Sequence, residues 1–372
     1  MKILFAGDYC PSGRVLDLFE RQDFSYVLEE IKKVNETLDF SVVNFESNVA
    51  LEKDMPIKKS GPCLKCNERG VEAIKWAGFN LLCLANNHFR DYGDIAVKRT
   101  IESAKKNDLD IVGGGVNIDD ASKTFYKTIR GITIAIINVC ENEFSIATKK
   151  RGGSNPLDPI KQFYDIKEAC KKADKIFVIV HGGHEHCQEP SFRMKQTFRF
   201  FIDAGADVII NTHQHCFLGY EIYNDKPIFY GLGNFCFDKF NINMPQSWNY
   251  GYMVLLTINE DISFELIPYE QCKENPQVHI IGNKTKFDEE IAYLNDILAD
   301  DSKLEEYLHC FYESHPILEI TIPTLFNHWN RLRPFIQKHL HPEWYYHLRD
   351  YILCESHRVR MEYEIENKIG NR

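Results

Sequence analysis

The 372-residue chain reads as an α/β fold over residues 1–275, followed by a helical extension over 280–372. Three observations carry this reading. Short apolar runs alternate with segments of helical period as far as residue 212. From about residue 217 the alternation gives way to paired strand patterns separated by turns. Past about residue 275 the pattern is helical and rich in aromatic and charged residues.

The elements follow in order. A strand over 3–6 ends at Gly7-Asp8. A helix over 26–38 has Val27, Ile31 and Val34 at helical spacing, and a strand covers 40–44. The couplet recurs as helix 68–77 with strand 80–85, then helix 94–106 with strand 109–112. Strands separated by helices of this length pair in parallel through right-handed crossovers. The run Gly113-Gly114-Gly115 lacks G-x-G-x-x-G spacing, since residue 118 is Ile, and reads as a tight turn rather than a dinucleotide site. A hairpin over 125–129 and 132–139 turns at Arg130-Gly131. Helix 159–173 leads to strand 175–180, and helix 191–204, stopped by Gly205, leads to strand 207–210. Two more hairpins pair 218–223 with 228–230 and 252–258 with 262–267. Helices are expected over 288–298, 302–313, 324–340 and 342–366, forming a cap on the α/β region or a surface for a protein partner. The dispersed histidines of this part read as surface or packing residues.

Composition narrows the function. Asp and Glu (54) outnumber Lys and Arg (44), a formal net charge of −10. Sequence-independent nucleic-acid binding rests on many basic contacts to phosphates, so the balance argues against a nucleic-acid partner. Mean hydropathy is −0.35, and no apolar run approaches the roughly 18 residues of a membrane span. The first apolar run, residues 3–6, is too short for a signal-peptide core. The expected location is therefore cytoplasmic, with the twelve cysteines reduced. The lone C-x-x-C, Cys63-Leu64-Lys65-Cys66, has no second pair and is a weak zinc or redox signal.

The chemistry sits where strands end. Asp8 follows the first strand and Asn44-Phe45-Glu46 the second. Asn86-Asn87-His88 follows the third, and later strands feed His181-Gly182-Gly183-His184-Glu185-His186 and His213-Gln214-His215. In open α/β sheets ligands bind beyond the carboxyl ends of strands, so these residues are expected to converge. Carboxylate, amide oxygen and imidazole together suit manganese, iron or zinc better than calcium. A carboxylate between two cations can bridge them, and two cations ~3.5–4 Å apart suit phosphoryl displacement.

The ordered set resembles a known family. Gly7-Asp8, Gly13-Arg14-Val15, Asn44-Phe45-Glu46, Asn86-Asn87-His88 with Asp91-Tyr92-Gly93, and Gly113-Gly114-Gly115 come first. His181-Gly182-Gly183-His184-Glu185, His213-Gln214-His215 and Gly231-Leu232-Gly233-Asn234-Phe235 follow. Over about residues 1–240 the chain is similar to capsule-synthesis and poly-γ-glutamate-biosynthesis proteins of the CapA type, a branch of the calcineurin-like metallophosphoesterase superfamily. The resemblance implies a four-layer α/β/β/α sandwich holding two divalent metal ions (Mn, Fe or Zn). It implies that Asp8 and His215 hold the first ion, that Glu46 bridges, and that Asn87, His181 and His213 hold the second. It makes His88 the proton donor to the leaving oxygen and places Glu185 and Asn234 along the pocket; Arg14 would hold a phosphate oxygen. Asp8-Tyr9-Cys10 stands where the superfamily has Asp-x-His, so the first site is expected to be the weaker unless Cys10 ligates as a thiolate.

The expected function is hydrolysis of a phosphate ester by metal-activated water in capsular polysaccharide or poly-γ-glutamate biosynthesis. Two alternatives stand beside it: a non-hydrolytic metal-containing accessory protein that binds an anionic polymer, and a metal-dependent amide hydrolase.

Overall fold

The computed structural model describes residues 1–239, 242, 244–315 and 342–370; the expected helix over 324–340 lies outside them. The chain opens with β1 (Lys2–Cys10), α1 (Gly13–Glu20), α2 (Phe24–Asn35) and β2 (Phe40–Phe45). It continues through α3 (Glu68–Trp76), β3 (Leu81–Cys83), α4 (Gly93–Lys106) and β4 (Asp110–Val112). β1 to β4 lie side by side in parallel. A minor ladder, β5 (Gly114–Gly115) with β8 (Gly153–Ser154), flanks α5 (Ile118–Ala121) and the hairpin β6 (Phe125–Ile129) and β7 (Ile132–Cys140). Next come α6 (Pro159–Ala169), β9 (Lys175–His181), α7 (Phe192–Ala204), β10 (Val208–Thr212), β11 (Tyr220–Tyr223) and β12 (Lys226–Phe229). The second sheet has the order β11-β12-β10-β9-β7-β6. β13 (Asn234–Phe237), β14 (Tyr250–Ile258), β15 (Ile262–Gln271) and β16 (Val278–Ile280) return to the first sheet. α8 (Thr285–Ala299), α9 (Asp301–Ser314), α10 (Pro342–Leu353) and α11 (Glu355–Gly370) close the described chain.

Side-chain alternation sorts the strands into four layers. Leu4, Val43 and Leu82 face outward onto Val15 and Phe19 of α1, Val27, Leu28 and Ile31 of α2, and Ile74 of α3. Their neighbours Ile3, Phe5, Val42 and Leu81 face inward onto Ile134, Ile136, Phe177, Ile179 and Val208 of the second sheet. The far face of that sheet buries Ile137, Val178 and Ile209 against Ile166 of α6 and Phe198, Phe201 and Ile202 of α7. Strands buried on both faces read as continuous apolar runs, which is why they are conspicuous in the sequence. Phe287, Ile291 and Leu294 of α8 join the inter-sheet core.

Several expectations are corrected. β1 runs through Asp8 to Cys10 instead of stopping at Gly7, because its far end pairs in parallel with β13. Helix α1, after Pro11-Ser12, was not anticipated. The single helix expected over 342–366 is two helices that meet at Cys354; there Glu141 receives the Ser356 amide and starts the second one. All twelve cysteines are free.

Candidate metal centre

Each site residue is placed by a local device. The pairing of β1 with β2 shifts register between Ala6 and Asp8. A Cβ on Gly7 would lie 1.9 Å from the Gly233 carbonyl oxygen, so glycine is required for the two segments to meet. Asp8 is thereby turned into the site, where Asn44 Nδ2 (2.7 Å) and the His213 amide (3.0 Å) donate to it. Glu46 follows β2 directly, its amide bonded to the Tyr9 carbonyl at 3.0 Å.

The turn that carries Asn87 and His88 is clamped from several sides. Asn138 Oδ1 accepts from the Ala85 amide (2.9 Å), Asn86 donates to the Phe45 carbonyl (2.8 Å), and Ser145 Oγ donates to the Asn87 carbonyl (2.6 Å). The triple glycine serves this clamp: a Cβ on Gly113, at φ +80°, would lie 2.0 Å from Asn138 Oδ1. His181 ends β9, and His213 and His215 follow β10. Both of these histidines hold left-handed backbone, at φ 101° and 59°. That conformation is uncommon for residues other than glycine and marks backbone held in place by its surroundings.

The residues converge. Glu46, His181 and His213 bring ligand atoms within 4.8 Å of one another, as do Asp8, Glu46 and His215; Glu46 belongs to both groups, and all are buried. His181 Nε2 lies 3.1 Å from His213 Nδ1 and 3.1 Å from Asn87 Oδ1. Glu46 Oε1 has His181 Nε2 at 3.7 Å, His215 Nε2 at 3.8 Å and His88 Nε2 at 3.9 Å. Neither Glu46 oxygen has a hydrogen-bond donor. Burial, reinforced by Asp8, Glu185 and Glu143, pushes the Glu46 carboxyl well above its ordinary range, and burial raises Asp8 to about 7. Burial also holds His181 well below its usual value and His213 and His215 at about 3. Neutral imidazoles around a carboxylate without donors leave its charge unmet by the protein, a donor set that fits a divalent cation.

His88 is organised separately. Its Nδ1 lies 2.6 Å from Asp91 Oδ2, and Lys59 Nζ pairs with Asp91 Oδ1 at 2.6 Å. Burial and Lys59 keep His88 below its usual value against the pull of Asp91.

The remaining expected residues divide. Asn234 Oδ1 sits 2.9 Å from His215 Nδ1 and orients that ring. Glu185 lines a cavity of about 560 Å³ beside the cluster. Arg14 is not brought to it; its guanidinium is taken by Asp238 at 2.9 Å and by the carbonyls of residues 272–274. Cys10 packs with Phe237 and Trp248, and burial followed by the Glu46 charge pushes its thiol well up, which opposes a thiolate ligand.

Residues unforeseen as site members also line the cavity: Lys59, Glu143, and His347, Asp350, His357 and Arg360 from α10 and α11. His347 and His357 are thus neither plain surface nor plain packing. Glu143 lies just past a strand end, as the other site residues do, so the same rule would have found it. Nothing local in the sequence marks the helical residues. Among the described residues no helix is long and apolar enough to cross a membrane.

Comparison with known proteins bears on this geometry. Residues 2–239 match the family model described as bacterial capsule synthesis protein PGA_cap. The capsule biosynthesis protein CapA of Bacillus anthracis is 34% identical over 247 residues, covering 64% of this chain and 60% of that protein. The PGA biosynthesis protein CapA of Bacillus subtilis (strain 168) is 34% identical over 238 residues, covering 63% of each. The matches thus span less than two thirds of the length of these relatives. Among solved structures, a 5'-nucleotidase from Staphylococcus aureus in complex with alpha-ketoglutarate is similar with a TM-score of 0.45 at 15% identity, covering 81% of this chain and 58% of that one.

Proposed function

The chain belongs to the bacterial capsule synthesis protein (PGA_cap) family, and from that premise we propose that it is a metal-dependent phosphoesterase serving capsular polysaccharide or poly-γ-glutamate biosynthesis. The observation that carries this reading is Glu46, a buried carboxylate without donors that belongs to both ligand groups. Asp8, Glu46 and His215 would hold one ion; Glu46, Asn87, His181 and His213 would hold a second. Divalent cations bound there supply Lewis acidity toward a phosphate oxygen and acidify water. The chain's own residues do the rest. Asp91 fixes the His88 ring, whose Nε2 is then free to give a proton to the leaving oxygen. Asn234 fixes His215, and Asn44 with the His213 amide fixes Asp8.

A second reading is favoured by Cys10. Its buried thiol leaves the first ion with only Asp8, Glu46 and His215, which suits a non-hydrolytic accessory protein that grips an anionic polymer through one cation.

Hydrolysis of p-nitrophenyl phosphate and its bis-ester with manganese tests both, with metal content measured by mass spectrometry. The expected outcome is turnover with about two equivalents of metal. Glu46→Gln is expected to lose about 10³-fold in rate, more than the 10–100-fold typical of outer partners of a metal site. Equal turnover in wild type and variant would sink the phosphoesterase reading. About one equivalent of metal with no turnover supports the accessory protein.

A further inference from the structure

The cavity beside the metal centre is larger than a phosphate group needs. It holds about 560 Å³, and it is walled on one side by His88, Glu143, Glu185 and His215 and on the other by α10 and α11. Those helices lie beyond the family-matched residues 2–239. They are docked onto the loop after β7. Ser356 donates through Oγ (2.9 Å) and its amide (3.3 Å) to Glu141, while the Asn142 amide (2.8 Å) and Nδ2 (2.6 Å) donate to Glu355.

Arg360 stands out on this wall. Arginines elsewhere are paired: Arg14 with Asp238 at 2.9 Å, Arg199 with Glu221 at 2.5 Å, and Arg193 beside Glu141 at 3.7 Å. Arg360 is half-buried and lines the cavity, yet it makes no hydrogen bond or ion pair to a described residue, and its Nε is shut off from solvent. Its guanidinium carbon lies 5.7 Å from the centre of the Phe311 ring, which steadies the side chain. The carboxylate on the same wall, Asp350, is engaged already, by His357 Nδ1 at 3.2 Å and Ser60 Oγ at 3.3 Å. Phe237 and Trp248 also line the cavity and offer apolar surface to the body of a ligand.

We propose that Arg360 grips a second anionic group of the ligand, so that the protein selects phosphate esters that carry a further carboxylate or phosphate. The assignment rests on the phosphoesterase reading for the first group. A planar guanidinium without a protein partner is suited to a carboxylate or phosphate, which it binds through paired N–H donors. The helical wall is then where this chain sets its own specificity.

Three probes test it: phenyl phosphate, 4-carboxyphenyl phosphate and 1,4-phenylene diphosphate. Their affinities are measured by calorimetry on the full chain, without metal and with manganese, alongside turnover. The wild type is expected to prefer at least one doubly anionic probe by about tenfold, and the preferred one identifies the second group. Arg360→Met should bring that ratio near unity, and Arg360→Lys should restore part of it. A wild type without preference, or a preference unchanged in Arg360→Met, overturns the assignment. Preference without turnover of any probe removes the phosphoesterase reading and leaves the Arg360 site standing.

Discussion

The two walls of the cavity are built differently. On the strand-end wall every ligand is tied down. Asp8 is held by Asn44 and a backbone amide, His181 by Thr212 at 2.9 Å, His215 by Asn234, and the Asn87 turn by Ser145 and Asn138. This wall rises from two sheets with apolar layers on both faces. The helical wall rests on a few polar docks: Glu141 with Ser356, Asn142 with Glu355, and Ser60 with Asp350. Groups that hold ions need positions fixed to a fraction of an ångström, which a rigid scaffold supplies. Groups that recognise a ligand's far end tolerate a docked appendage.

The contrast can be broken in three places. Asp91→Asn removes the charge that orients His88 on the rigid side, and turnover in the manganese assay is expected to fall about 10²-fold. Metal content should stay at the wild-type level, since Asp91 belongs to neither ligand group; an undiminished rate would detach His88 from the chemistry.

Metal affinity supplies the next test. Burial raises the Asp8 carboxyl to about 7 and Glu46 well above its ordinary range, so below pH 7 a cation must displace protons to bind. Affinity for manganese should therefore rise by at least about tenfold per unit as pH climbs from 6 to 7. Calorimetric titrations at pH 6, 7 and 8 read this, and a flat profile would show that these carboxyls do not meet the ion.

Glu141→Gln sharpens the helical side. It weakens the carboxylate that starts α11, a capping loss worth about 1 kcal/mol, so amide exchange over residues 355–358 should quicken about fivefold. Exchange over β10 should not change. Equal response in both segments would erase the difference between the walls.

Much of the strand-end wall was legible because each piece is local. A buried parallel strand is a short apolar run, and a polar residue just past it is visible at once; Asp8, Glu46, His181 and His213 were found this way. The bulge at Gly7 was not legible, since it depends on Gly233, far away in the chain. Helix α1 was missed because it is only eight residues long and sits hard against β1. The helical wall was opaque for a stronger reason. Arg360 and His357 look like any charged residues of an amphipathic helix, and only contacts such as Asn142 with Glu355, 213 residues apart, bring them to the cavity.

The partnership between Glu141 and Ser356 spans 215 positions. During synthesis the last histidine of the cluster leaves the ribosome long before the segment that will roof it. Ions can be seated in an open bowl, and the pocket acquires its ceiling only as translation ends. A transcript truncated before residue 355 would therefore encode a protein that holds its ions but has lost its means of choosing what to bind.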